Sequence, residues 1–102
     1  MAKKVYLGMT GDIIHHGIIN IIREGAKYGD LIVGLLTDSA IVSHKRLPYL
    51  TYEQRKEVVE NLKFVSEVVP QEEWSYVNNL KKIKPDYIIH GDDWKTNYLS
   101  KI

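Results

Sequence analysis

Ten residues near the start of the chain, "GDIIHHGIIN" at 11–20, set an Asp, two adjacent histidines and a Gly ahead of apolar residues at helical spacing. Such a run suits an anion. The small residues of "GMTGD", with Gly8, Met9, Thr10 and Asp12, let backbone approach a ligand. Gly17 then opens a helix whose free N–H groups and dipole favour phosphate. His15 and His16 sit at that helix start, where an imidazole can donate to phosphate oxygens. Read alone, the two histidines serve equally as surface or capping residues. The loop is neither a Walker A sequence nor GxGxxG.

Two further clusters carry charge. In "HKR" at 44–46, Lys45 and Arg46 supply cations of the kind a polyphosphate needs beyond a helix dipole, or form a solvated basic turn. Arg55 either pairs with Glu residues or reaches the same site. In "GDDW" at 91–94, Asp92 and Asp93 can hold a metal, accept ribose hydroxyls or orient a cation, and one of them can instead cap a helix. Trp94 can stack on a base or close the core. Trp74 reads as core, and Tyr49 and Tyr52 as packing. No catalytic triad is visible: the chain has no cysteine and no GxSxG. The four histidines, at 15, 16, 44 and 90, lack metal-ligand spacing.

These clusters need elements to hold them. "KVYLG" (4–8) reads as a strand, and Ile18, Ile21, Ile22 and Ala26 mark a helix from Gly17 to Tyr28. "LIVGLLT" (31–37) is a continuous apolar run, the signature of a strand covered on both faces. A polar segment at 38–49 follows. Thr51 and Gln54 form a capping-box pattern ahead of Val58, Val59, Leu62 and Val65. "EVVP" (67–70) is a short strand, residues 72–83 a helix broken before Pro85, and "DYIIHG" (86–91) a fourth strand. The β-α-β-α-β-α-β order predicts an α/β fold, a Rossmann-like parallel sheet with helices on both faces. Ligands then bind beyond the carboxyl ends of the strands, where the three clusters collect.

Composition narrows the class. At 102 residues, 44% hydrophobic and 26% charged, the chain is expected to be one globular domain. A net charge of +1 supplies no field for nonspecific nucleic-acid binding and argues against a membrane-surface role. The start "MAKKVYLG" is no signal peptide and no apolar run spans a bilayer, so a cytoplasmic protein is expected.

In order and position, the motifs resemble the cytidylyltransferase family of HxGH nucleotidyltransferases. "TGDIIHHGI" matches that pattern at Thr10, Asp12, His15 and Gly17. "LPYLTYEQR" and "IIHGDDWK" are similar to segments of glycerol-3-phosphate cytidylyltransferases and, more closely, of the nucleotidyltransferase-like domain found beside phosphoenolpyruvate mutase. The similarity runs from residue 5 to residue 95. It implies attack by an acceptor's phosphate or phosphonate on the α-phosphorus of CTP, assisted by Mg²⁺, with release of pyrophosphate and no covalent enzyme intermediate. It also implies roles. His15 would contact the triphosphate and, with Lys45, carry the catalysis, while Asp12 orients the site. Gly8, Met9, Thr10 and Gly17 would line the nucleotide site, and Gly91, Asp92, Asp93 and Trp94 the nucleoside pocket. Lys45, Arg46 and Arg55 would hold the acceptor or the triphosphate. The partners implied are a nucleoside triphosphate and a small phosphate or phosphonate, with neither nucleic acid nor membrane; homodimers are common in the family.

The chain departs from the family pattern at two places. The second motif histidine falls on Ile18, which can donate nothing to the α-phosphate; losing one such donor costs ~3–4 kcal/mol, about a hundred- to a thousandfold in rate. His16 is an imperfect substitute, because helix residues two apart face different sides. The family also carries a "GxSxT"-like phosphate-binding stretch beyond "GDDW", so the domain, residues 1–102, is expected to be C-terminally incomplete. The alternatives are a binding or interaction module that kept the pocket and lost the chemistry, and an accessory domain of a larger phosphonate enzyme.

Overall fold

Alternation along the apolar strands divides their side chains between two layers, and that division sets the architecture. The computed structural model describes residues 3–93 and 96–101. Its elements are β1 (Lys4–Met9), α1 (His16–Ala26), β2 (Asp30–Leu36), α2 (Asp38–Val42), α3 (Tyr52–Glu60), β3 (Val65–Gln71), α4 (Val77–Ile83), β4 (Tyr87–Asp93) and β5 (Thr96–Lys101). The sheet runs β3-β2-β1-β4-β5, parallel except for the antiparallel β5. Val5, Leu7, Leu31, Val33, Leu35 and Ile89 face one side, where Ile21 and Ile22 of α1 and Val59 of α3 complete the larger core. Tyr6, Ile32 and Ile88 face the other side, covered by Leu80 and Ile83 of α4. This is the expected Rossmann-like α/β sheet with helices on both faces. Its order reverses at β1, between β2 and β4, which opens a crevice at the carboxyl end of β1.

Several elements differ from expectation. The polar segment at 38–49 contains α2, nucleated by Thr37, whose side chain accepts from Ala40 N at 3.3 Å. The capping box is present: Gln54 N donates to Thr51 Oγ1 at 3.2 Å and Thr51 N to Gln54 Oε1 at 3.0 Å. Its helix stops at Glu60, however, and Val65 opens β3 instead of extending the apolar stripe. The helix expected over 72–83 begins only at Val77. The reason is local: the Gln71 side-chain amide donates to the carbonyls of Glu73 and Trp74, both at 3.1 Å, taking the acceptors a first turn would use. Trp74, expected in the core, is instead 37% exposed. Strand β5 has no counterpart in the sequence reading. Among the described residues, no helix is long and apolar enough to cross a membrane.

Candidate nucleotide site

The chain leaves β1 through Gly11, whose φ of +68° is a left-handed conformation that suits glycine. That turn sends Asp12 toward the loop before α3. Asp12 Oδ1 accepts from the backbone N–H groups of Tyr49 at 2.9 Å and Leu50 at 3.2 Å, fastening the loop after β1 to residues 49–50. Arg55 fixes the same junction from beneath. It is fully buried; its Nη1 donates to the carbonyls of Thr10 at 2.7 Å and Leu36 at 2.6 Å, and its Nε to that of Leu50 at 3.2 Å. Its Nη2 pairs with Asp38 at 2.6 Å. The ends of β1 and β2 and the starts of α2 and α3 therefore share one guanidinium.

His15 caps α1, its Nδ1 accepting from Gly17 N at 3.1 Å. A ring nitrogen that accepts carries no proton, so the neutral imidazole presents its N–H on Nε2. His16 begins the helix and is exposed, its ring edge-on to that of His15 at 6.0 Å.

Two adjoining clefts open here. One, of about 410 Å³, is lined by Thr10, Asp12, His15, Ile18, Lys45 and Arg46 among others. The second, of about 480 Å³, lies toward the ends of β2 and β3; Gly8, Met9, Gln71, Trp74 and Tyr76 line it. Thr10, Ile18 and Lys45 belong to both. Trp74 forms the outer wall, its ring stacked on His44 at 4.6 Å with the Lys45 ammonium 5.6 Å from its centre. Arg46 lies over the Tyr49 ring at 4.4 Å and donates to its hydroxyl at 2.5 Å, a bond that raises the guanidinium further above its ordinary pKa.

Of the residues singled out in sequence, Gly8, Met9, Thr10, Asp12, His15, Ile18, Lys45 and Arg46 meet in these clefts. Gly17 holds the His15 cap. Arg55, expected to hold a phosphate, turns its donors inward instead and organises the loops. Gly91, Asp92 and Asp93 end β4, next to β1; Trp94 lies outside the described residues, as do the side chains of Asp92 and Asp93. Sequence reasoning missed Gln71 and Tyr76 and placed Trp74 wrongly. The aromatic pair at 74 and 76, straight after a strand end, was the signal available.

Comparisons with known proteins supply the family. The model of the cytidylyltransferase-like family matches residues 7–101. A glycerol-3-phosphate cytidylyltransferase of Bacillus spizizenii is 34% identical over 98 residues, covering 94% of this chain and 76% of that protein. An FAD synthase of Ferroglobus placidus is 41% identical over 91 residues, 89% of this chain and 60% of its own length. An ethanolamine-phosphate cytidylyltransferase of Mus musculus is 39% identical over 84 residues, of which the match spans 80% of this chain and only 21% of the relative. Among solved structures, the lipopolysaccharide core biosynthesis protein from Thermoplasma volcanium GSS1 superposes with a TM-score of 0.80 at 26% identity, over 86% of this chain and 73% of that one. With a match that runs from β1 into β5 over a cleft at the sheet's switch point, the chain belongs to the cytidylyltransferase-like family.

Proposed function

We propose that this chain transfers CMP from CTP to a small phosphorylated or phosphonylated molecule. An oxygen of the second substrate bonds to the α-phosphorus as the bond to the bridging oxygen breaks, and pyrophosphate leaves with that electron pair. The observation carrying this reading is the junction of the two clefts at Thr10, Ile18 and Lys45. Two anionic substrates between which a nucleotidyl group passes must meet at one point, and a cation there stabilises the charge that builds. The triphosphate fits the cleft with the His15 Nε2–H, Arg46 and the start of α1. The nucleoside lies toward the end of β4, as the family resemblance implies for residues 91–94. The second substrate then takes the cleft toward β3, walled by Trp74 and Tyr76.

Mg²⁺ arriving on the nucleotide would supply charge neutralisation on the phosphate oxygens and, keeping water and phosphate oxygens for most of its shell, would need few protein ligands. Asp12, beside the triphosphate cleft, is the described carboxylate placed to lend one.

The test is pyrophosphate release by the purified chain with Mg²⁺, CTP or ATP, and glycerol 3-phosphate, ethanolamine phosphate or methylphosphonate. Release dependent on CTP and one of these compounds is expected. ATP as the productive nucleotide would replace the base assignment, an outcome that the FAD synthase relatives favour. A second reading rests on Ile18, an apolar side chain at the junction: CTP·Mg binding without release would make the chain a nucleotide-binding module.

A further inference from the structure

Beneath the Trp74 wall lies a polar network inside an otherwise apolar layer. Tyr6, on β1, is 0% exposed, Gln71 2% and Asn79 9%. The Tyr6 hydroxyl donates to Gln71 Oε1 at 2.5 Å and accepts from Asn79 Nδ2 at 2.9 Å. Asn79 Nδ2 also donates to the Pro70 carbonyl at 3.0 Å. Gln71 Nε2 is shared between the carbonyls of Glu73 and Trp74. Two carbonyls facing one end of that amide fix which end is nitrogen, and so fix the direction of the chain of bonds. Opposite it, β2 gives up a side chain: a Cβ on Gly34 would collide with the Tyr6 hydroxyl and crowd Gln71 Oε1. Room has been made for the phenol.

An apolar side chain at position 6 would fill this layer as well, because burial rewards area and not direction. Hydrogen bonds add direction, and here they end on the backbone of the residue that walls the cleft. We propose that Tyr6, Gln71 and Asn79 are positioning residues that hold the 73–74 backbone, and through it the Trp74 ring, so that the cleft toward β3 is set for the second substrate. The functional half of this inference rests on the nucleotidyl-transfer reading above; the structural half does not.

Two substitutions test it. Tyr6→Phe removes one oxygen and keeps the ring; Gln71→Met keeps the volume and removes both anchors to the loop. Ile88→Val, in the same layer without a polar contact, is the control for lost packing. In a Trp94→Phe background without ligand, acrylamide quenching reads Trp74 alone. Both variants are expected to raise the quenching constant about twofold. In the otherwise unaltered chain Tyr6→Phe, at a residue outside the lining of both clefts, should raise KM for the second substrate at least fivefold, with KM for CTP and kcat within twofold; Gln71→Met, which also lines that cleft, is read by quenching. Ile88→Val should lower the melting temperature and change neither readout. Unchanged quenching in both variants overturns the proposal. So does a parallel loss for both substrates, which is what general destabilisation would give. If the unaltered chain releases no pyrophosphate with any nucleotide, the nucleotidyl-transfer reading has failed, and quenching alone then upholds or overturns the positioning of Trp74.

Discussion

Arg55 and Asp38 form an ion pair at 2.6 Å in which the guanidinium is wholly buried and the carboxylate is 44% exposed. The pair is the visible end of a larger fastening, since the other donors of Arg55 hold the carbonyls of Thr10, Leu36 and Leu50. Arg55→Met takes a partner from the buried Leu36 carbonyl and from the part-buried carbonyls of Thr10 and Leu50, while Asp38, half-exposed, can turn to water. The expected loss is about 1–3 kcal/mol, the scale of an orphaned buried acceptor. Arg55→Lys should rescue little, because one ammonium cannot reach acceptors that a planar fork spans. Urea unfolding of the three proteins checks both expectations.

That fastening shows where legibility in the sequence ended. The strands could be read because burial on both faces forces an unbroken apolar run, as at 31–36. The α3 start could be read because a capping box is local, with Thr51 and Gln54 completing each other within one turn. Arg55 meets Thr10 and Asp38 across long stretches of chain, and nothing in its neighbours announces that. Trp74 failed for a related reason. A helix over 72–83 would have turned it inward, yet Gln71 had already claimed the carbonyls that a helix there would need. The short α2 was hidden because a five-residue helix carries too little apolar periodicity to register.

Alkaline conditions should expose the Tyr6 network. Burial pushes the Tyr6 phenol from 10.0 up to about 12, with the Asn79 hydrogen bond pulling weakly the other way. Below pH 10 the phenol is neutral in both folded and unfolded chains and its contribution is intact. Between pH 10 and 12 the unfolded chain loses the proton first, so stability falls as pH rises, by ~2–3 kcal/mol across the window. Tyr52, raised in the same direction mainly by burial, adds to the slope. Denaturation curves from pH 9 to 12 should show a shallower decline in Tyr6→Phe than in the unaltered chain.

Ile18 offers a direct test of lost chemistry. Its side chain lines both clefts, so a donor at that position would reach the junction where the α-phosphorus is expected. Ile18→His should raise kcat about a hundredfold, the scale of one well-placed donor to a developing oxyanion. The readout is the rate of pyrophosphate release at saturating CTP and second substrate. A gain confined to KM would mean that the imidazole binds the ground state and does not favour the transition state.

Lys45 and Arg46 are neighbours in sequence, but they occupy different places. Lys45 lines both clefts, whereas Arg46 lines only the one with His15 and stands against Tyr49. A cation serving both substrates and the charge between them affects every kinetic constant; a cation on one side affects one substrate. Lys45→Ala is therefore expected to lower kcat about a hundredfold and to weaken both substrates, as removal of a transition-state contact does. Arg46→Ala should raise KM for CTP about tenfold, near 1.4 kcal/mol of lost binding, while KM for the second substrate and kcat stay within twofold. Steady-state kinetics with each substrate varied in turn separates the two patterns. If Arg46→Ala weakens the second substrate instead, the two clefts have been assigned the wrong way round, and the triphosphate lies against Trp74.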